Sequence, residues 1–329
     1  MKKIIPCALA ALMSASCLAV TACGGEAITI YTSTEDYNMD YLQSCLDEAF
    51  PDYDVKIEYM STSNIAAKVI AEGETTDCDI IYAQEYGYIS QMAEAGVLFD
   101  LSSFDKSCYM DDTLQIEEKD YLIPAIRTGG AVIINNYVLE QNDLPKPTSY
   151  ADLLDEKYEG LISMPSPKSS GTGYMFYLSL VNAMGETDAL SYFDSFTENV
   201  LAYTSSGSGP VNALVSREAA IGLGMISQAA EKITGGVDEL EILIFEEGAP
   251  FNLYGSCVVK GKEEKAGVME IMEYLHSTYT NLSSEAFYPE SVLKDKTYDV
   301  ANFPENIVYA DMSGNTLERK EDLLAKWTH

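Results

Sequence analysis

Basic residues are scarce in this chain of 329 residues. Lys and Arg together number 20 against 52 Asp and Glu, which gives a formal net charge of -32 at pH 7. Because no net positive field is available to gather phosphates, this composition argues against a nucleic-acid-binding protein. It also argues against attachment to anionic lipid through a basic patch. Hydrophobic residues make up 47% of the chain, so the charge excess does not indicate disorder.

Metal-binding and catalytic patterns are also missing. The sequence has 2 His, 7 Cys and no CxxC pair, so we expect no metal site and no cofactor. It has no GxSxG nucleophile elbow, and neither His lies near a candidate Ser or Cys nucleophile in a recognisable pattern. Paired carboxylates arise by chance in so acidic a chain. The sequence therefore predicts a binding protein with no catalytic residues rather than an enzyme.

A long apolar run is present at the N-terminus. Lys2 and Lys3 precede an apolar segment that extends from Ile4 to Val20 and is too short for a lasting membrane span, which is typical of an export signal. The segment ends in VTACGG, which resembles the processing site of bacterial lipoproteins. This resemblance implies that residues 1–22 are removed and that Cys23 carries the lipid anchor. An ordinary signal peptide with an incidental cysteine is the alternative.

The rest of the chain alternates strand and helix patterns. Residues 27–32, 54–60 and 79–83 read as buried strands, and each precedes a helical pattern, which is the cadence of parallel βαβ units. At 121–136 two apolar runs flank Arg127 to Gly130, and the alternating pattern then begins again. The sequence predicts an α/β protein with two lobes joined by two extended crossings rather than one continuous sheet.

The expected crossings set the boundaries of the lobes. We place them near 127–130 and 247–251, where they would act as a hinge. The first lobe then comprises 23–126 together with roughly 251–329, and the second lobe comprises 127–250.

Two loops rich in Ser and Gly each stand between a strand and a helix. They are PSPKSSGTG at 165–173 and TSSGSGP at 204–210. Ligands of open α/β sheets bind beyond the carboxyl ends of the strands, and N–H groups at a helix start favour anions. The loop at Ser33 and Thr34 can add further hydroxyls. A well-capped helix start is the structural alternative for each loop.

These loops and their flanks, between Leu139 and Gly224, resemble the substrate-binding lipoproteins of bacterial ABC importers. More specifically, they resemble the group that includes binders of ferric iron, aminoalkylphosphonates and sugar phosphates. The resemblance extends from ITIYTST to the helix ending at Trp327. It implies a type 2 periplasmic-binding-protein fold whose two lobes close over a small solute. It also implies a monomer, lipid-anchored on the extracytoplasmic face, that delivers the solute to an ABC permease and its ATPase.

Departures from the family pattern bear on the ligand. The adjacent tyrosines of the ferric binders and the His-Asp pair of the sugar-phosphate binders are both missing near 225–228. We therefore expect a small oxyanion-bearing or zwitterionic solute such as a phosphonate or organophosphate. Ferric iron or a polyamine is the alternative within the same fold, and a lipid-anchored sensor or adhesin is the alternative from another class.

The expected ligand-binding residues combine the Ser/Gly loops with carboxylates and aromatics near the predicted strand ends. Arg127 or Lys168 could add a charge-assisted contact. The full set is Ser33, Thr34, Glu35, Tyr82, Glu85, Arg127, Ser169, Ser170, Gly171, Thr172, Ser205, Ser206, Gly207, Ser208, Ser227 and Glu247.

Overall fold

The computed structural model describes residues 27–290 and 292–329, so the predicted signal peptide and Cys23 lie outside the described residues. Within them are nine strands: β1 (Ile28–Thr32), β2 (Val55–Tyr59), β3 (Ile80–Glu85), β4 (Ile123–Asn135), β5 (Ile162–Pro165), β6 (Val200–Thr204), β7 (Ile221–Met225), β8 (Leu240–Leu243) and β9 (Phe251–Val258). The α-helices are α1 (Asp36–Ala49), α2 (Thr62–Glu72), α3 (Tyr86–Glu94), α4 (Asn136–Gln141), α5 (Gly171–Met184), α6 (Glu186–Phe196), α7 (Gly209–Val215), α8 (Ile226–Thr234), α9 (Val268–Tyr274), α10 (Thr280–Phe287) and α11 (Leu317–Lys326). No helix in this part of the chain is long and apolar enough to cross a membrane.

The first lobe begins with the predicted parallel βαβ units. Strand β1 pairs in parallel with β2 on one side and β3 on the other. Every residue of β1 is buried, because helices cover both faces of the sheet. Strand β9 joins this sheet antiparallel to β3. The α/β fold class expected from the alternating pattern is thereby confirmed.

Strand β4 carries the chain from the first lobe into the second. It pairs with β9 as far as Gly129, opposite Phe251, and with β7 from Gly130 onward. A Cβ at Gly130 would lie 2.5 Å from Cε of Met175, so glycine lets α5 approach the crossing strand closely. Because β4 belongs to both halves, the strands form one path, β2-β1-β3-β9-β4-β7-β5-β6, with β8 beside β4. The expectation of two separate sheets is corrected in this respect.

The second lobe is built around one almost completely buried helix. Strand β5 lies between β6 and β7 and is parallel to both. Helix α5 follows β5 and is buried from Gly171 through Val181. A helix that is apolar on nearly all sides is typical of the centre of a lobe rather than its surface. The start of this helix therefore has a fixed position at one end of the lobe.

The C-terminal segment packs against the second lobe. Trp327 is 1% exposed, and its ring centroid lies 5.1 Å from that of Tyr177, 5.0 Å from that of Phe193 and 5.5 Å from that of Tyr203. Tyr309 packs against the second-lobe core near α7 and α8. The sequence-based division placed all of 251–329 in the first lobe, and for this segment the aromatic packing puts it with the second.

Candidate functional site

A cleft with an empty volume of about 460 Å³, part of which is open solvent, lies between the two lobes. It opens beyond the carboxyl ends of β1 and β2 in the first lobe and of β5 and β6 in the second, as expected for an open α/β sheet. Residues from both lobes and from the crossing strands line it: Ser33, Thr34, Glu35, Tyr59, Ser61, Thr62, Ala83, Ile126, Thr128, Ser170, Gly171, Thr172, Ser206, Gly207, Met225, Tyr254 and Tyr288.

The starts of helices α2 and α5 meet across the cleft. The N–H of Gly171 donates to Oγ1 of Thr62 at 3.2 Å. Beside this contact, Oγ of Ser63 donates to the carbonyl of Ser169 at 3.1 Å. Within α5, Oγ of Ser170 caps the helix by accepting from the N–H of Gly173. Two helix N-termini, one from each lobe, thus converge on the same end of the cleft.

The Ser/Gly loop after β6 lies directly against α5. A Cβ at Gly207 would lie 2.3 Å from Oγ1 of Thr172, so only glycine allows this approach. The hydroxyl of Ser206 lies 3.1 Å from that of Ser208. From the first lobe, Tyr59 reaches the hydroxyls of both serines. The two loops singled out in the sequence therefore form one polar wall.

Glu35 is the only charged residue among those that line the cleft. Its side chain is buried, and the hydroxyl of Tyr37 donates to Oε2 at 3.4 Å. Burial raises the pKa of this carboxyl to about 7. The neighbouring Asp36 raises it further, whereas Lys232 on α8 lowers it. Glu35 therefore changes charge near neutral pH.

This raised pKa predicts a pH-dependent stability. Because the folded state holds a proton on Glu35 between about pH 4.5 and 7 that the unfolded state loses, stability falls as pH rises through this window. Glu35→Gln should thus increase the free energy of unfolding by up to about 3 kcal/mol at pH 8. Near pH 4 it should change little. Urea titrations at both pH values measure the difference.

The matched control for this prediction is Glu58→Gln on the exposed part of β2. It should leave the free energy of unfolding unchanged at both pH values. An equal effect of Glu35→Gln at pH 4 and pH 8 would contradict the assignment of a buried, proton-holding carboxyl.

Two buried tyrosines, Tyr254 and Tyr288, also line the cleft. Burial raises the pKa of both Tyr254 and Tyr288 well above the ordinary value of a phenol. The hydroxyl of Tyr288 also accepts from Nδ2 of Asn38 at 3.4 Å. Without a bound ion, both phenols are therefore neutral groups that can donate and accept hydrogen bonds. Among the described residues, no group of three or more His, Cys, Asp or Glu could hold a metal.

Ala83 lines the cleft in a strained conformation. Its φ is 55°, in the left-handed region that non-glycine residues rarely adopt. The pairing of β3 with β9 shifts register between Ile81 and Gln84, on either side of it. The shift ends with Glu85 opposite Tyr254, and the carboxylate of Glu85 lies against Lys320. This local geometry explains why Glu85, the last residue of β3, does not line the cleft.

The structure brings half of the expected site residues together. Those that line the cleft are Ser33, Thr34, Glu35, Ser170, Gly171, Thr172, Ser206 and Gly207. Tyr82 is instead in the first-lobe core, with its ring 5.5 Å from that of Tyr279. Arg127 forms an ion pair with Asp112 on the other face of the crossing strand. Neither side chain lines the cleft, because Tyr82 is packed in the first-lobe core and Arg127 is paired with Asp112.

The remaining expected residues lie around the cleft rather than in its lining. Ser169 offers its carbonyl to Ser63, and Ser208 supports Ser206. Ser205 and Lys168 are exposed to solvent. Ser227 is buried on α8, and Glu247 lies near Tyr150. None of them is part of the cleft lining, and direct contact of these residues with a ligand stays a prediction.

Several lining residues were not anticipated from the sequence. Ser61 and Thr62 begin a helix just after a strand, and the rule used for the other loops would have found them. Thr128, Tyr254 and Tyr288 carry no such signal. They come from a crossing strand, from β9 and from a segment after α10, and only the packing of distant segments brings them here.

Comparisons with known proteins identify related sequences. A family model described as bacterial extracellular solute-binding protein matches residues 78–306. An uncharacterized protein of Haemophilus influenzae is 27% identical over an alignment of 219 residues that covers 64% of this chain. The chain spans about 62% of the length of that curated relative.

Solved structures of low sequence identity share the fold. The periplasmic binding protein P5PA aligns with a TM-score of 0.80 at 22% identity, over 92% of this chain and 98% of its own. The periplasmic binding protein AfuA from Actinobacillus pleuropneumoniae, with fructose-6-phosphate bound, aligns at 0.78 and 20%, over 92% and 97%. A ferric binding protein from Campylobacter jejuni aligns at 0.70 and 13%, over 91% and 98%. The expected two-lobed fold is confirmed by these likenesses.

Proposed function

Because the chain belongs to the family of bacterial extracellular solute-binding proteins, we propose that its cleft captures a small solute by an oxyanion, such as a phosphonate or phosphate group. The captured solute is then delivered to an ABC permease and its ATPase. The neighbours of this fold include binders of a sugar phosphate and of iron. A shared fold does not distinguish between these ligands, so the proposal rests on the chemistry of the residues that line the cleft.

One observation supports an oxyanion most strongly. Eight Ser and Thr side chains line the cleft without any Lys or Arg, namely Ser33, Thr34, Ser61, Thr62, Thr128, Ser170, Thr172 and Ser206. Helices α2 and α5 also point their N-termini at this cleft. Hydroxyls, backbone N–H groups and helix N-termini hold a dehydrated oxyanion without a cationic side chain.

Glu35 supports a second polar group on the same solute. Its carboxyl lies near Tyr37 and Tyr288, on the side of the cleft formed by α1. When charged, it favours an amine, and when protonated it donates a hydrogen bond. A zwitterionic solute, with the oxyanion on the hydroxyl wall and an amine at Glu35, satisfies both parts of the cleft.

The proposal is tested by isothermal titration calorimetry with phosphonates, sugar phosphates, polyamines and ferric citrate. Thr172→Ala and Ser206→Ala each remove one hydroxyl from the polar wall. Each should lower the affinity for the best-binding oxyanion by roughly tenfold to a hundredfold, since a charge-assisted hydrogen bond contributes about 1.5–3 kcal/mol. Ser205→Ala is the matched control, because Ser205 belongs to the same loop but is exposed. It should bind like the unmodified protein.

Other outcomes of the same titrations would replace the proposal. If ferric citrate or a polyamine binds most tightly and both variants retain that affinity, the ligand is held by the tyrosines and Glu35 rather than by the hydroxyl wall. If no solute in any class binds, a sensor or adhesin role becomes the better explanation.

We further propose that the mature chain is a monomer anchored by a lipid on Cys23, at the extracytoplasmic face of the membrane. The VTACGG motif supports this placement, and two or more acyl chains hold a protein firmly in a bilayer. Metabolic labelling with an alkyne fatty acid tests it. Label that persists in a Cys23→Ser variant would contradict the anchor.

A further inference from the structure

A buried ion pair lies behind the cleft and has no part in the proposed ligand contacts. Lys320 of α11 pairs with Glu85 at the end of β3, and their side chains are only 2% and 1% exposed. The ammonium also lies 3.8 Å from the ring centroid of Tyr88 and 4.7 Å from that of Tyr174. Taking two charges out of water is costly, so a pair buried this deeply calls for an explanation other than stability alone.

The two partners belong to different lobes. Glu85 accepts from the N–H of Gly87 at 3.0 Å and thereby caps α3 in the first lobe. Lys320 belongs to a helix held on the second lobe. The carbonyl of Leu323 accepts from the hydroxyl of Tyr177 at 3.3 Å, and Arg319 donates to Asn182 at 2.7 Å. The pair is therefore a contact between the lobes, made by a helix that packs on the second-lobe core and also contacts α3 of the first lobe.

The pair also lies directly against the helix start that lines the cleft. A Cβ at Gly171 would lie 3.2 Å from Cγ of Glu85, and one at Gly87 would lie 3.0 Å from Nζ of Lys320. The pair therefore has room because one residue from each lobe, Gly171 and Gly87, has no side chain. Gly171 itself contacts Thr62 across the cleft and, through its carbonyl, Asn252 of β9 at 2.7 Å. Separating the lobes at Gly171 would have to disturb the pair as well.

The geometry points to the Glu85–Lys320 pair as an interlobe latch, a contact that holds the two lobes closed and is broken when they open. A contact made only in the closed state raises the closed population even without ligand. The apparent affinity for any solute then depends on the latch, because binding is weakened by the fraction of molecules that are not competent to bind. The latch depends on the two-lobed fold but not on which solute the cleft takes.

The test is the interlobe distance in the ligand-free mature protein. Bio-orthogonal spin labels are placed at Lys56 on the first lobe and Ser195 on the second, both exposed, and distances are measured by double electron–electron resonance. The double variant Glu85→Gln with Lys320→Met removes the pair without leaving a lone buried charge. We expect the population at longer distances to rise at least about tenfold over the unmodified protein.

Two further variants complete the design. Lys326→Met is the matched control, since Lys326 lies on the same helix but pairs with Glu186 and Asp322 on the surface of the second lobe. It should leave the distances unchanged. Glu85→Gln alone serves if the double variant does not fold. Burial lowers the pKa of Lys320, and removal of the carboxylate takes away the contact that opposes this shift.

A distance distribution that is the same in the unmodified protein and in the folded variants would overturn the latch. Since no solute is present in this experiment, failure of the oxyanion proposal would leave its result unaffected. Conversely, latch variants with a normal oxyanion affinity and unchanged interlobe distances would contradict the latch and agree with the proposed function.

Discussion

Replacing Trp327 with alanine should lower the free energy of unfolding by about 3–5 kcal/mol, as for other fully buried aromatic residues. The indole is 1% exposed and contacts three rings of the second lobe, those of Tyr177, Phe193 and Tyr203. Its loss leaves a cavity that α5 and α6 cannot fill without moving, because both helices pack on other core residues. Equilibrium unfolding in urea, followed by circular dichroism, measures the change.

The control lies in the same C-terminal segment. Val308 is 68% exposed, so Val308→Ala should change the free energy of unfolding by less than about 0.5 kcal/mol. If Trp327→Ala were no more destabilising than this control, the C-terminal segment would not be part of the second-lobe core.

Replacing Gly173 with alanine should damage both the fold and the cleft. A Cβ at this position would lie 2.4 Å from the carbonyl oxygen of Pro165 and 2.6 Å from the carbonyl carbon of Ser166. These are backbone atoms of the loop that leads into α5, so the helix start has to move. Overpacking of this kind costs about 1–3 kcal/mol, and a rigid backbone neighbour favours the upper end. Displacement of the N–H groups at the helix start should also lower the affinity for the best oxyanion of the calorimetric panel by about a hundredfold.

The matched control is Gly235→Ala at the end of α8. Its Cβ would lie 3.4 Å from the nearest carbonyl oxygens, an ordinary contact, and its φ of -76° suits any residue. Urea unfolding and calorimetry on both variants separate the two effects. Gly173→Ala with unaltered oxyanion affinity would show that the start of α5 does not contact the ligand.

The sequence alone determined the features that depend on neighbouring residues. The buried run of β1 and the helix patterns after each strand established the parallel βαβ units, because side-chain periodicity is a local property. The Ser/Gly loops could be located for the same reason, since caps and tight turns require particular residues at fixed positions. Glycine at 171, 173 and 207 then made close approach possible.

The tertiary structure alone decided which of these residues face the ligand. Glu85 ends β3, at a position where a cleft residue is expected, yet its carboxylate is paired with Lys320, 235 residues further along the chain. Tyr254 and Tyr288 line the cleft because β9 and the segment after α10 are packed beneath it. Trp327 joins the second lobe through rings that are distant in sequence. Burial and pairing of this kind depend on contacts between segments that are distant in sequence, and a local pattern of residues does not predict such contacts.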